Sequence, residues 1–185
     1  MEQLKVDFDK VIESLKLSEE SINSRKKNLN QFVENGFPNK RVEDWKFSDL
    51  NQIISSNIEN LRFHTELESG EIDETIFIDK FAHNKIIFLN GVISKIDFSF
   101  EDDTKVLITR DLNKNKNSKE VNPLVSLNNA LIASYIGVTV KENYSLNKPL
   151  IIYNITTKEL KSTAINLKTD IVLEKNSSLK LINLF

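Results

Sequence analysis

Residues 134–185 read SYIGVTVKENYSLNKPLIIYNITTKELKSTAINLKTDIVLEKNSSLKLINLF. Four short apolar runs begin near Ile136, Leu150, Ile165 and Leu179, at intervals of 14, 15 and 14 residues. Polar turns such as KENYSLNKP and EKNSS separate the runs, which is typical of short strands joined by turns. Regularly spaced strands suit an antiparallel sheet, a sandwich or the first coils of a β-solenoid, and periodicity alone leaves all three open.

The strand pattern begins upstream, at about residue 75. It starts with TIFI and continues in IIFLNGVISKIDFSF, and VLITRDL predicts a further strand at 105–109. Within the second run, Asn90-Gly91 predicts a tight hairpin, because both residues tolerate the positive φ angles of a type I′ turn. The polar tract NKNKNSKE, residues 113–120, predicts a mobile loop.

The first 36 residues predict a pair of helices. Apolar residues recur at helical spacing over about residues 3–16. Ser18, followed by two glutamates, predicts the start of a second helix, and Gly36 predicts its end. Two short helices are expected further on, one capped by Ser48 and Asp49 and one within LVSLNNALIASY after Pro123.

Composition narrows the classes of function. Lys and Arg total 25 against 27 Asp and Glu, and this formal charge of −2 disfavours nucleic-acid binding. A secretory signal pattern and an apolar run of membrane-spanning length are both absent, so we expect no membrane partner and a cytoplasmic location. The sequence has no cysteine, and therefore neither a disulfide nor a thiolate-ligated metal or cluster can be built from it.

An enzyme would need a constellation of reactive groups. The candidates are the acid pair Asp102 and Asp103, and the carboxylates of Asp170 and Glu174. Adjacent acids after a strand are usually a solvated turn, and neither pair has a neighbouring His, Cys or Gly-rich loop. His64 and His83 lie outside any recognisable metal-ligand spacing. We therefore expect no catalytic, cofactor-binding or metal-binding residue in this chain.

The most distinctive stretch is FPNKRVEDWKFSDL, residues 37–50. It resembles the N-terminal signature of the SufB/SufD family of iron–sulfur cluster assembly scaffold proteins. Two later stretches follow in the family's order: FLNGVIS resembles its strand-Asn-Gly-strand hairpin, and LNNALIASYIGVTVKENYSLNKPLIIYN resembles its entry into a β-helix. The predicted helical pair, residues 1–36, is followed closely by the stretch 37–50, which we call the Trp motif. This order is more similar to the SufD branch than to the SufB branch. The residues that carry the resemblance are Pro38, Lys40, Arg41, Glu43, Trp45, Lys46, Phe47, Ser48, Leu50, Asn90, Gly91, Asn129 and Pro149.

The resemblance implies an α+β chain in which an N-terminal helical region precedes a β-rich region and a right-handed parallel β-helix. It divides the chain into residues 1–60, a helical region, residues 61–134, a mixed hairpin and helix region, and residues 135–185, the first coils of the β-helix. The motif residues are expected to be structural, with Trp45, Phe47 and Leu50 pinning a loop onto a core.

The resemblance also implies a function. The chain would be a non-catalytic scaffold subunit that works with SufB and the ATPase SufC. Any iron–sulfur cluster or flavin would belong to the full complex. Because the sequence ends within a strand, we expect a truncated β-helix whose bare C-terminal strand self-associates. The alternative is a β-solenoid of unrelated function that recognises a carbohydrate or a partner protein.

Overall fold

The computed structural model describes residues 2–64, 72–114 and 122–185. Within these ranges the protein is α+β, with four α-helices and seven strands in two mixed sheets. Most of the polar tract 113–120 lies outside the described residues. The chain forms two compact units, and each is assembled from three separate segments. The first unit contains Met1–Glu66, Leu112–Ala133 and Lys161–Asn166, and the second contains Leu67–Asp111, Ser134–Leu160 and Leu167–Phe185.

The first unit holds the four helices. They are α1 (Glu2–Ser14), α2 (Glu19–Asn35), α3 (Leu50–Asn57) and α4 (Pro123–Leu131). The predicted helical pair is confirmed. The hydroxyl of Ser18 accepts the N–H of Ser21 at the start of α2, and Gly36 has a φ of 69° at its end. Of the two residues expected to cap α3, Asp49 is the cap and accepts the N–H of Gln52, whereas Ser48 precedes the cap position.

The apolar faces of α1, α2 and α4 form the core of the first unit. The spacing of these residues in sequence places them on one side of each helix, so that burial removes them from water together. The buried members on the helices are Leu4, Phe8, Val11, Leu29, Phe32, Leu127, Ala130 and Leu131. Phe63, from the segment after α3, belongs to the same core.

Arg25 is a buried cation between α2 and α4. Its Nη1 donates to the carbonyl oxygen of Ala130 at 3.1 Å, in the last turn of α4, where carbonyl groups lack helical partners. Its Nη2 is buried and has no hydrogen-bond partner within the described residues. Burial lowers the pKa of Arg25 to about 10. Arg25 therefore fixes the end of α4 against α2 at a cost in desolvation.

The second unit holds two sheets. Their strands are β1 (Asn84–Leu89), β2 (Val92–Asp97), β3 (Val106–Thr109), β4 (Ser134–Val140), β5 (Leu150–Ile155), β6 (Leu167–Leu173) and β7 (Leu181–Leu184). One sheet has the order β2-β1-β5-β7 and the other β3-β4-β6. The hairpin of β1 and β2 is confirmed, with a φ of 51° at Asn90 and 83° at Gly91.

Strands β4 to β7 alternate between the two sheets. Strand β4 pairs parallel with β6, and β5 pairs parallel with both β1 and β7. Of the arrangements that the spacing left open, the antiparallel sheet is therefore wrong for these four strands. The inner faces of the two sheets share one core, formed by Ile86, Phe88, Val106, Ile136, Val138, Leu150 and Ile152.

The expected strand at TIFI, residues 75–78, is wrong. Glu74–Ile76 is a turn of 3-10 helix, and the N–H and hydroxyl of Thr75 both bind the side chain of Asp73. This turn reverses the chain locally, and Phe77 and Ile78 then pack against the outer face of the first sheet. The second half of the apolar run, Phe77 and Ile78, therefore covers a sheet instead of joining one. Among the described residues, no helix is long and apolar enough to cross a membrane.

Gly137 provides a test of the packing between β3 and β4. A Cβ atom at this position would lie 2.7 Å from Cγ2 of Thr109 and 3.0 Å from the hydroxyl of Tyr135. We expect Gly137→Ala to lower the free energy of unfolding by roughly 1–3 kcal/mol, because added atoms strain a close-packed core. Urea denaturation measures this loss.

Thr109→Ser supplies the matched rescue. It removes the methyl group that would clash, and it keeps the hydroxyl that accepts the N–H of Asp111. The double variant should recover part of the lost stability. An unaffected Gly137→Ala variant, or a double variant no better than the single one, would contradict this account of the contact.

Candidate interaction surface

Strand β7 and residues 169–173 of β6 have an outer edge that pairs with no other strand in the described part of the chain. Among the described strands, β6 pairs only with β4, and β7 pairs only with β5. We call the outer edges of β7 and of residues 169–173 in β6, with the turn 174–180 between them, the open edge. Val172, Leu173 and Leu181 on it are each about half exposed. Unpaired backbone groups beside apolar side chains are a template for adding another strand.

The backbone ladder of the strands continues through the turns. The turn 141–147, between β4 and β5, lies alongside the turn 174–180. The N–H of Asn143 donates to the carbonyl of Lys175 at 2.9 Å, and the N–H of Leu146 donates to the carbonyl of Ser178 at 3.0 Å. The backbone N–H and C=O groups of the turns thus form hydrogen bonds with each other, as those of the strands do. Each strand and the turn after it therefore stack as one unit.

Side chains of the same two turns also pair at an offset of 33 residues. Asn176 donates from Nδ2 to Oδ1 of Asn143 at 3.0 Å. Both asparagines have positive φ, 59° and 56°, a conformation that Asn adopts more readily than most residues. The hydroxyl of Ser178 donates to that of Ser145 at 2.8 Å. These pairs set the register of one turn on the next.

An ion pair extends the same ladder. Nζ of Lys141 lies 2.8 Å from Oε1 of Glu174, and the N–H of Glu142 donates to the same carboxylate. The hydrogen bond from Lys141 is the main cause that lowers the pKa of Glu174. The sequence signal for this ladder is the similarity of KENYSL, residues 141–146, to EKNSSL, residues 174–179. The spacing of the apolar runs does not reveal this similarity between the two turns.

The carboxylate of Glu101 ties the end of the hairpin to the turn before β5. It accepts hydrogen bonds from the side chains of Asn84 and Tyr144, and from the backbone N–H groups of Asn147 and Lys148, at 2.6–3.1 Å. Burial by itself would raise the pKa of Glu101, but these four donors outweigh it and hold the pKa below its ordinary value. No sequence motif marked this residue.

The carboxylates considered for catalysis are engaged in structural contacts. Asp170 accepts from the hydroxyl of Tyr135 at 3.2 Å and lies 3.3 Å from Nζ of Lys168. Burial, followed by the charge of Asp170, raises the pKa of Tyr135 to about 12. Asp102 forms a turn by accepting the N–H and hydroxyl of Thr104. Asp102, Asp170 and Glu174 are thus each engaged in hydrogen bonds within the fold.

His83 is a buried histidine with both ring nitrogens bonded. Its Nδ1 donates to the carbonyl of Phe81 at 2.9 Å, since a carbonyl can only accept. Its Nε2 lies 3.0 Å from the hydroxyl of Tyr153, and that hydroxyl accepts the N–H of Ile78. Within the described ranges, no group of three His, Cys, Asp or Glu residues could hold a metal ion.

The motif of residues 38–50 forms one loop of the first unit. Pro38 is buried, and its carbonyl accepts the N–H of Leu50, the first residue of α3. Trp45 ends a 3-10 turn and is half-buried. Phe47 is 89% exposed, so the expectation that it helps to pin the loop onto a core is wrong.

The charged motif residues lie on the outside of this loop. Arg41 and Ser48 are exposed. Lys46 lies 3.8 Å from the carboxylate of Glu43 and 5.2 Å from the ring centroid of Phe47. These contacts are local to the loop, and exposed pairs of this kind contribute little to stability.

The remaining motif residues occupy other positions. Asn90, at the hairpin tip, is buried and exchanges hydrogen bonds with Thr157, including one from the Thr157 N–H at 2.9 Å. Pro149 precedes β5, and its carbonyl accepts the N–H of Asn84. Asn129 is buried in α4. The structure therefore gathers the residues from Pro38 to Leu50 in one loop and places these three within other elements.

Comparison of the sequence with protein-family models and with curated proteins finds no match.

Replacement of Glu101 tests the hydrogen-bond cluster around its carboxylate. Glu101→Gln should lower the free energy of unfolding at pH 7 by roughly 1–3 kcal/mol, because an amide NH₂ group cannot accept from the donors around it. The folded protein favours the charged carboxylate, so this contribution is present above the ordinary pKa of 4.5 and is lost as pH falls through the folded value.

The difference in stability between wild type and Glu101→Gln should therefore shrink below about pH 4.5. Denaturant melts across this range measure it. Asp103→Asn is the matched control, since Asp103 is an exposed acid two residues away. A difference that stays constant with pH, or an equal loss in the control, would contradict the role of the Glu101 carboxylate.

Proposed function

We propose that this chain acts as a non-catalytic scaffold subunit of the SufD type in a cytoplasmic iron–sulfur cluster assembly complex. The observation that carries the proposal is the stack of parallel strands β4 to β7, which alternates between two sheets and ends in the open edge. Such a stack offers rigid, repeating edges for assembly. It supports a role in which the chain binds other proteins through its surface and does not catalyse a reaction.

The alternating strands support the β-helical part of the proposal. Two turns of chain separate β4 from β6, and the paired residues Ser134 and Leu167 are 33 positions apart. Leu150 and Leu181, paired between β5 and β7, are 31 positions apart. A nearly constant repeat with parallel pairing is the pattern of a coil that returns on itself, and parallel crossovers are right-handed in almost all proteins. We propose that β4 to β7 begin a right-handed parallel β-helix.

The order of elements also supports the resemblance. Helices α1 and α2 precede the Trp motif, the Asn90-Gly91 hairpin follows, and α4 leads directly into β4. These are the elements that the three similar stretches imply, in the same order. The absence of cysteine from the sequence means that thiolate ligands for a cluster would come from SufB or another partner.

Co-purification tests this proposal. The tagged chain, co-expressed with untagged SufB and SufC, should retain both partners through size-exclusion chromatography. The purified chain alone should hydrolyse no ATP and show no cluster absorbance after reconstitution, since these activities would belong to the partners. Elution of the chain free of SufB and SufC would refute the proposed complex, and the unrelated solenoid would then be the better explanation.

The open edge leads to a separate proposal, that the isolated chain self-associates through β6 and β7. The outer backbone of β7 and of residues 169–173 in β6, which pairs with no strand of the described chain, and the exposed Leu181 provide the driving force. Leu181→Lys should lower the association constant by about tenfold or more, because a lysine at an edge opposes strand addition. Sedimentation velocity over a range of protein concentrations measures the effect.

Ile76→Lys is the matched control for this variant. Ile76 and Leu181 are both 47% exposed, but Ile76 lies outside the two strands of the open edge. A wild-type chain that stays monomeric at all concentrations would overturn self-association. Equal effects of the two lysine variants would show that exposed apolar area in general, and not the strand edge, is responsible.

A further inference from the structure

A cleft of about 620 Å³ opens on the outer face of the first sheet, within the second unit. Cavities that hold small organic ligands have volumes of this order. Its walls come from the segment 72–79 and from strands β1 and β2. They are formed by Ile72, Phe77, Ile78, Asp79, Lys85, Ile87, Ser94 and Lys95.

The polar side chains reach the cleft because of a bulge in the hairpin. The pairing of β1 with β2 shifts register after Ile87, which faces Lys95, while the next residue, Phe88, faces Ile93. Ser94 is therefore the extra residue, and it lines the cleft together with Lys95. Regular alternation would have turned one of these two neighbours to the other face.

The apolar part of the cleft is held by the sheet beneath it. Ile87 is 2% exposed and packs with Ile151 and Tyr153, and Phe77 contacts the ring of Tyr153 edge to face at 4.9 Å. The hydroxyl of Tyr153 holds the backbone of Ile78. The apolar wall is thus fixed by packing and by a hydrogen bond.

The charged side chains at the rim of the cleft determine which polar group of a ligand can bind there. Lys85 lies in β1 with its Nζ 5.8 Å from the centre of the Phe77 ring, and Lys95 lies in β2. Two ammonium groups and the hydroxyl of Ser94 can all donate hydrogen bonds to an anion. Asp79 at the same rim, and Asp97, which stands opposite Lys85 in the hairpin, would repel a second negative charge.

From this geometry we propose that the cleft binds a small amphipathic monoanion, with an apolar body on Phe77, Ile78 and Ile87 and a carboxylate held by Lys85 and Lys95. The apolar body gains by leaving water, and the carboxylate gains from two cations at the edge of an apolar surface. The proposal is independent of the scaffold role and of the open edge.

Phenylbutyrate is a suitable probe, since it joins an aromatic ring to one carboxylate. Amide shifts in two-dimensional NMR, followed on titration of the wild-type chain, should saturate and be largest at Ile78, Lys85, Ser94 and Lys95. Phenylbutyramide, which has the same shape without the charge, should bind about tenfold more weakly. Titration that fails to saturate, or shifts concentrated on β6 and β7, would overturn the proposal.

Charge-removing variants locate the carboxylate. Lys85→Gln and Lys95→Gln should each weaken phenylbutyrate binding by about three- to fivefold, the range expected for partly exposed ion pairs. Lys158→Gln, at an exposed lysine that does not line the cleft, is the matched control and should bind as wild type does. The anion site would be refuted if all three variants bound phenylbutyrate with equal affinity. It would also be refuted if the wild type bound phenylbutyrate and phenylbutyramide equally well.

Discussion

The parallel stacking of successive strand-turn-strand segments is the constraint on which the second unit depends. Each residue of β4 must meet a residue of β6 about 33 positions later, and each residue of β5 must meet one of β7 about 31 positions later. The difference of two residues is taken up before β5, where Lys148 and Pro149 have no counterpart in the shorter turn before β7. Turn length therefore decides whether both sheets stay in register.

This stacking gives the two ends of the sheets different characters. At one end each sheet finishes in an antiparallel strand, β2 or β3, contributed by residues that precede the stack. At the other end lies the open edge of β6 and β7, with apolar side chains half exposed. Both the proposed scaffold role and the proposed self-association arise from this asymmetry, because an unpaired parallel edge accepts a strand more readily than a covered one.

Buried and half-buried polar groups hold the turns and helix ends that hydrophobic packing cannot orient. Glu101 collects four donors, Asn90 joins the hairpin tip to the residues after β5, and Arg25 holds the last turn of α4. The cost is visible in two groups of the described chain, Nη2 of Arg25 and Oδ1 of Asn84, which are buried without a hydrogen-bond partner. Directional bonds of this kind specify one arrangement where apolar contacts would allow several.

The sequence by itself determined the local elements: the helical pair, the cap at Ser18, the end at Gly36 and the Asn90-Gly91 hairpin. These depend on capping groups, φ preferences and periodicity within a few residues, which a sequence displays directly. Only the tertiary structure decided that β4 to β7 pair in parallel and that Phe77 and Ile78 cover a sheet. It also decided that the carboxylate of Glu101 joins the end of the hairpin to the turn before β5. Each of these depends on partners that lie tens of residues away. The free energy of such contacts depends on which surfaces pack together. The conformational preferences of neighbouring residues do not determine that packing.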